Sequence, residues 1–494
     1  MRTSWFWVLF VCSLLAASRA GTAQTGQGNL LNTAIRFEER GQFEDALNRF
    51  DTIIGSDLDT ETKLEAKFRA GRIYLDQKGD PAKARPYFEE VKGAQKYPRL
   101  AASATLYNGK VLLATAATNA DFDRALSEFD TVILTWPGTP AEVESRLWAG
   151  TVLERQHKFE SAIINYQAIV LGFPDSPEAA AAFTRLGHAL SRLGRFVDAL
   201  SAYQNVQTLK QAGTVGASAK KDATLLYRLF LLKETSPTPF KSSVLAKKSE
   251  SFKLNDPSQM TWMPSGDLQI VDEPRILNVA PSGQVLAGKE PSDCTDRRGN
   301  VYRITQKKSI LIAGGKSLTP FYKRGVEQKT FDEIIACGAD SPTEMIISTK
   351  GPDGLYAVTM ATGESRSFTL DQKAPRKIVL DSEGNYYLLY GPEVPIVILD
   401  SQGKSLGSIS ARTLNIKELS DFTLDGLDNV YLLDKEGKFV ILGAVSFVDQ
   451  FKLKPLHTEN VTEANKPLTN LRAIATSKTG AVFVLGKEQL LAFQ

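Results

Sequence analysis

The chain has 494 residues, too many for one hydrophobic core, so two or three domains are expected. Its composition, 43% apolar and 23% charged, is that of an ordinary globular protein and argues against a largely disordered chain. The 59 basic and 56 acidic residues leave a formal charge of +3, which gives no reason to expect a nucleic-acid partner.

The N-terminal residues differ from all that follow. Arg2 supplies a positive start, Trp5–Ala17 is almost wholly apolar, and small residues follow at Ser18, Ala20, Gly21 and Ala23. This is the layout of a secretory signal peptide, whose apolar core is too short to span a bilayer. Residues 1–23 are assigned to it, with cleavage after Ala20 or Ala23; a retained anchor is the alternative. Cys12 lies inside the apolar core and follows Val11, where a lipoprotein signal wants a small residue, so lipidation is not expected. No later stretch has about 18 uninterrupted apolar residues, so the mature chain is expected to lack an integral membrane span. Export would leave Cys294 and Cys337, an even pair in an oxidising compartment and therefore a disulfide candidate.

From residue 28 to 235 one pattern repeats five times: a small residue, an aromatic four positions later, and an aliphatic three beyond. The sets are Ala46/Phe50/Ile53, Ala84/Phe88/Val91, Ala125/Phe129/Val132, Ala162/Tyr166/Ile169 and Ala199/Tyr203/Val206, with the alanines 38, 41, 37 and 37 residues apart. Offsets of four and three put each set on one helix face. A second helical run precedes each set, centred on Ala34, Gly71, Gly109, Gly150 or Gly187. Turns such as Arg40-Gly41-Gln42 separate the paired helices, and Trp136-Pro137 or Phe173-Pro174 separates the pairs. Lys78-Gly79-Asp80 and Thr115–Asp121 lengthen turns, and Ala217–Lys233 is expected to form a closing helix. The pattern resembles the tetratricopeptide repeat, in the form found in bacterial envelope proteins. The resemblance implies an α-solenoid with a concave groove lined by the first helix of each pair. It places Arg72, Lys110, Glu154 and His188 in that groove as partner-binding positions; ordinary solvated polar positions are the alternative.

After a linker at residues 236–247 the helical period stops. From 248 to 494 short β-branched and aromatic runs alternate with Gly, Asp, Asn and Ser. One phrase recurs, as Asp296–Tyr302, Asp381–Tyr387 and Asp425–Tyr431, with looser copies at Met263–Leu268, Asp340–Met345 and Ser477–Phe483. In the clearest copy Arg376–Leu380, Tyr386–Tyr390, Ile396–Asp400 and Leu406–Ser410 read as four antiparallel strands. The phrase resembles the NHL-type propeller repeat and implies a six-bladed β-propeller. Its last copy lacks a fourth strand, and Ser251–Leu254 is the candidate to supply it and close the ring. Cys294 and Cys337 lie 43 residues apart, one repeat, at equivalent positions on adjacent inner strands. Two reduced thiols are the alternative to a disulfide there.

Chemistry is sparse. His157, His188 and His457 are the three histidines, and none has a His-Glu-x-x-His or Cys-x-x-Cys partner spacing. There is no Gly-x-Ser-x-Gly nucleophile turn. Ile312–Ser317 reads as a hairpin turn rather than a phosphate loop. Asp296, Asp381 and Asp425 recur because the turn needs them, whereas a metal site would need different ligands from different blades. No catalytic, cofactor-binding or metal-ligating residue is assigned, and no cofactor is expected. The two resemblances together imply a multidomain α and β fold, solenoid then propeller. They imply a non-enzymatic scaffold exported to a bacterial periplasm or beyond, with protein partners in the envelope rather than a small molecule. A metal-dependent propeller hydrolase or lactonase with the solenoid as targeting arm, and an envelope glycan-binding protein, are the rival readings.

Overall fold

The computed structural model describes residues 30–493, apart from 117, 211, 233–239, 241, 258, 264, 273–274, 289–292, 297–299, 312–316, 324, 342–343, 352–353, 361, 369–373, 392–395, 445–454, 464–465 and 478–479. The signal segment 1–23 and most of the hairpin 312–317 lie outside the described residues. Residues 117–119 aside, the chain divides into one compact unit running to Ser145 and another beginning at Arg146.

The first unit holds helices α1 (30–39), α2 (Phe43–Ile54), α3 (Thr60–Arg72), α4 (Pro81–Lys92), α5 (Pro98–Ala114), α6 (Asn119–Thr135) and the start of α7 (Pro140–Arg155). Local chemistry sets the helix starts. Asp59 caps α3 by accepting the Thr62 amide at 2.9 Å, and Asp80 caps α4 from Lys83 at 3.0 Å, with Pro81 in the first turn. The second unit continues with the rest of α7, α8 (Phe159–Gly172), α9 (Ala179–Arg192), α10 (Phe196–Val206) and α11 (Gly213–Leu226), which runs into a π-turn at Tyr227–Leu231.

All fifteen residues of the five small–aromatic–aliphatic sets are buried. The preceding small residues explain why. A Cβ added at Gly71 would lie 2.9 Å from the Phe88 ring, one at Gly109 would lie 2.6 Å from Phe129, and one at Gly187 would lie 2.7 Å from Tyr203. Glycine lets the aromatic of the partner helix sit directly on the backbone.

The second unit also carries a β-propeller. Its sheets are antiparallel meanders: Gln259–Trp262 to Val285–Ala287, Ile334–Ser341 to Glu364–Phe368, Lys377–Leu380 to Ser405–Ile409, Leu419–Leu424 to Pro455–Asn460, and Ala473–Thr476 to Gln489–Phe493. Second strands such as Tyr386–Leu389, Val430–Asp434 and Val482–Leu485 are buried throughout, so their sequences are continuous rather than alternating apolar runs.

Two expectations are corrected. Six full blades were expected; among the described residues there are five sheets of four or more strands. The copy around Asp296 forms only a three-stranded sheet, Cys294–Thr295, Val301–Thr305 and Ser309–Leu311. The next strand along the chain, Phe321–Lys323, pairs in parallel with Glu364–Phe368 of the following sheet, so the smaller sheet gains no fourth strand. The ring is closed by Ser242–Lys247, which pairs antiparallel with Gln489–Phe493, and not by Ser251–Leu254. Ser242–Lys247 pairs with that edge along its length, with one register shift between Val244 and Ala246, whereas Ser249–Phe252 is bent by a backbone bond from Ser249 to Phe252. Phe252 instead inserts its buried side chain into the core shared by the first and last sheets.

Candidate functional site

The recurrent turn aspartates act on their own backbone. Asp381 accepts the amides of Glu383 and Asn385 at 3.0 and 2.9 Å and the Asn385 side chain at 2.8 Å. Asp425 accepts Leu427 N at 2.8 Å, Asn429 N at 3.0 Å, Asn429 Nδ2 at 2.9 Å and the Tyr431 hydroxyl at 3.0 Å. Asp296 binds Asn300 and Tyr302 in the same manner. With the turns held by these residues, the non-repeated positions between them, Ser382, Glu383 and Asp428, are free to meet another element.

That element is α9. His188 and Arg192 stand one turn apart on the same face. His188 Nε2 lies 3.1 Å from Asp428 Oδ2 and 3.0 Å from Ser382 Oγ. Ser382 donates its amide to Asp428 Oδ1 at 3.1 Å and its hydroxyl to Oδ2 at 2.5 Å. On the other side of the ring, His188 Nδ1 is 3.9 Å from Glu154 Oε1, while Glu154 Oε2 accepts from Arg185 at 3.1 Å. Arg192 Nη2 donates to Glu383 Oε2 at 2.9 Å, with both side chains 1% exposed. One ligand atom from each of His188, Glu383 and Asp428 can be chosen so that all three lie within 4.8 Å of one another.

Burial and charge compete here. Burial by itself would lower the His188 pKa, but its hydrogen bond to Asp428 and the negative charges of Asp428 and Glu154 together outweigh it and raise the value to about 10. Glu383 is pushed up to about 8, chiefly by burial and against the pull of Arg192, with Asp381 and Asp428 adding to the rise. Asp381 is raised by burial and by Asp428. Arg192 is held more firmly protonated than an ordinary arginine: its desolvation opposes the charge, but the combined attraction of Glu383, Asp428 and Asp381 exceeds it.

Arg72 and Lys110, the other two expected groove positions, lie together in the first unit. Both stand over Tyr107, at 5.7 and 3.9 Å from the ring centre. Lys110 Nζ is 3.3 Å from Glu144 and 3.9 Å from Asp76, and Arg72 is 4.0 Å from Asp76. Arg72 is the more open, with its side chain 38% exposed against 14% for Lys110. Glu154 and His188 are buried instead, and the propeller's own turns supply the contacts of His188.

The propeller's inner strands surround a channel of about 510 Å³. Lys377 Nζ pairs with Asp421 Oδ1 at 2.7 Å, and Asp421 Oδ2 accepts Ile474 N at 3.0 Å, tying three neighbouring inner strands together. Cys294 and Cys337 are joined by a disulfide across 5.7 Å between Cα atoms, and both line the channel. Ser218 and Asp222 of α11 border the end near Gly426 and Ser477, while Gln259, Asp293 and Arg376, at the beginnings of inner strands, border the other.

Sequence reasoning missed Ser382, Arg192, Glu383 and Asp428. The usable signal was the difference between copies of the turn phrase: Asp381 and Asp425 repeat, whereas Glu383 and Asp428 do not.

A tetratricopeptide repeat model matches residues 31–107, 115–177 and 150–212. No curated protein matches the chain. Among solved structures the chain is similar to a streptogramin B lyase, with 12% identity, 52% of this chain and 97% of that one covered, and a TM-score of 0.35. It is similar to virginiamycin B lyase from Staphylococcus aureus, with 11% identity, coverage of 52% and 99%, and a TM-score of 0.36. It is also similar to an auxiliary nutrient binding protein from Bacteroides ovatus, with 10% identity, coverage of 52% and 76%, and a TM-score of 0.38. Likeness at this level carries no activity or ligand to this chain. The protein is a multidomain α and β chain in which tetratricopeptide repeats precede a β-propeller.

Proposed function

We propose that this protein is a non-enzymatic adaptor, exported to the bacterial cell envelope, that holds a protein partner on its first tetratricopeptide repeats. The observation that carries the reading is the contrast between equivalent positions. Glu154 and His188 are buried and committed to contacts within their own unit, whereas Arg72 and Lys110 flank an aromatic ring with Arg72 partly open. A solenoid surface that combines an aromatic platform with fixed charges suits a peptide segment of another protein. The propeller would add a second docking face around the channel mouth formed by the beginnings of its inner strands.

The signal-like N-terminus supports export, and the repeat form supports an envelope setting. A photo-crosslinking residue at position 103, one turn before Tyr107 on the same face of α5, introduced in the native host and followed by fractionation, tests both. The expected product is one dominant adduct with an envelope protein in the periplasmic fraction, lost in the Arg72→Glu/Lys110→Glu variant. Recovery of the chain only in the cytoplasm would refute the export reading. An adduct unchanged by the double charge reversal would refute the docking reading.

A further inference from the structure

We propose that His188, Glu383 and Asp428 form a divalent-metal site of the zinc class, which staples α9 to two turns of the propeller. Zinc takes histidine nitrogen and carboxylate oxygen at about 2.0–2.2 Å, so two neighbouring ligands in a tetrahedral shell stand about 3.4 Å apart. The 3.1 Å between His188 Nε2 and Asp428 Oδ2 is close to that edge length, and Ser382 Oγ lies 3.0 Å from the same nitrogen. Glu383 offers Oε1, since its Oε2 is held by Arg192 and Oε1 has only a 3.3 Å contact with Ser382.

A second observation comes from the far side of the imidazole. His188 Nδ1 and Glu154 Oε1 are both buried without a hydrogen-bond partner, 3.9 Å apart. A small turn of either side chain brings Nδ1–H onto the carboxylate. That contact fixes the tautomer which leaves the Nε2 lone pair for a metal, the usual second partner of a metal-bound histidine.

Charge points the same way. The cluster holds four carboxylates, Glu154, Asp381, Glu383 and Asp428, against two guanidinium groups, Arg185 and Arg192. With a neutral imidazole it is short of two positive charges, and burial makes that deficit costly. Two protons, one on His188 and one on Glu383, can fill it; so can one divalent cation. Asp381 is engaged by its own turn and is no ligand. One imidazole and two carboxylates are too few oxygens for calcium, and the nitrogen disfavours magnesium. All three ligands are buried, so the site is structural rather than open to a substrate.

The test uses the full mature chain, dialysed against a chelator and titrated with zinc alone by calorimetry, with melting followed in parallel. One zinc per chain is expected, with a raised melting temperature, and with affinity at least about tenfold weaker near pH 5.5 than near pH 7.5 because protons compete for the ligands. His188→Gln, Glu383→Gln and Asp428→Asn should each weaken binding at least about tenfold, whereas His457→Gln should not. No saturable binding below about 100 μM, or binding unchanged in His188→Gln, overturns the proposal. Should the variants fail to fold, anomalous diffraction from wild-type crystals grown with zinc decides without them. A peak among the three side chains supports the site, and peaks only elsewhere refute it.

Discussion

Gly187→Ala probes the close approach on which the helical array rests, on the same helix that carries His188 and Arg192. A Cβ there would stand 2.7, 2.8 and 2.9 Å from three atoms of the ring of Tyr203, a residue itself 1% exposed. Overpacking of this kind costs about 1–3 kcal/mol. Alanine in a helix interior returns about 0.5–1 kcal/mol relative to glycine. The net expectation is a loss of up to about 2.5 kcal/mol, the difference of those two ranges with overpacking the larger. Gly172, at the end of α8 with nothing within 4 Å of its added Cβ, is the internal control. Gly172→Ala should be neutral or gain up to about 1 kcal/mol. Denaturant unfolding followed by far-ultraviolet circular dichroism reads both. The double variant Gly187→Ala/Tyr203→Leu should recover at least about 0.5 kcal/mol relative to the sum of the singles. A Gly187→Ala chain as stable as wild type, with no coupling to position 203, would refute the packing argument.

Three further perturbations follow from the same contacts. Asp59→Ala removes the α3 cap and should cost about 1 kcal/mol at neutral pH. The Thr62 backbone and side-chain hydrogen bonds lower the Asp59 pKa below 3.8, so the stabilisation is present above that value and fades as pH falls through the lowered one; a pH series of melting curves in which wild type and variant fail to converge in acid would contradict this. Asp425→Ala strips the acceptor from four hydrogen bonds, Leu427 N, Asn429 N, Asn429 Nδ2 and Tyr431 OH, and should cost about 3–4 kcal/mol at about 1 kcal/mol each. A loss under about 1 kcal/mol in urea titrations would show that the turn holds without it. Cys294→Ser/Cys337→Ser opens a link across 43 residues and should cost about 4 kcal/mol by chain entropy, and dithiothreitol should give wild type the variant's unfolding midpoint. Equal midpoints for oxidised and reduced wild type would remove the disulfide from the stability account.

The helical array was legible because its packing rule is local. Tyr166, flanked at helical spacing by Ala162 and Ile169, packs on Gly150, so periodicity sufficed. The clearest blade was legible to within a residue or two, because Gly384 and Gly403 mark turns with positive φ of 85° and 84°. What failed was non-local. Nothing in Phe321–Lys323 says that it will pair with Glu364–Phe368 rather than with its own sheet, since strand pairing is decided by which edge is open in three dimensions. The closing strand failed for a similar reason: Ser242–Lys247 and Ser251–Leu254 both contain apolar residues, and the edge offered by Gln489–Phe493 chooses between them. Glu383 and Asp428 stand out in sequence only by departing from the repeated turn, and nothing names their partner, because that helix is about two hundred residues away in sequence.

The count of repeats is therefore not the count of repeats open to a partner. In a solenoid each first helix offers one strip of the concave face, and a sequence reading treats the strips as equivalent. Here α9 spends its strip on the chain itself: His188 and Arg192 are matched by Asp428 and Glu383 across a buried contact, with no solvent left to a visiting peptide. Such a contact contributes little net stability as an ion pair, because desolvation offsets attraction, but breaking one side of it leaves an uncompensated buried charge. That asymmetry makes the contact a register device. It fixes which turns of the propeller meet which turn of α9, and so holds α9 and the propeller in one geometry.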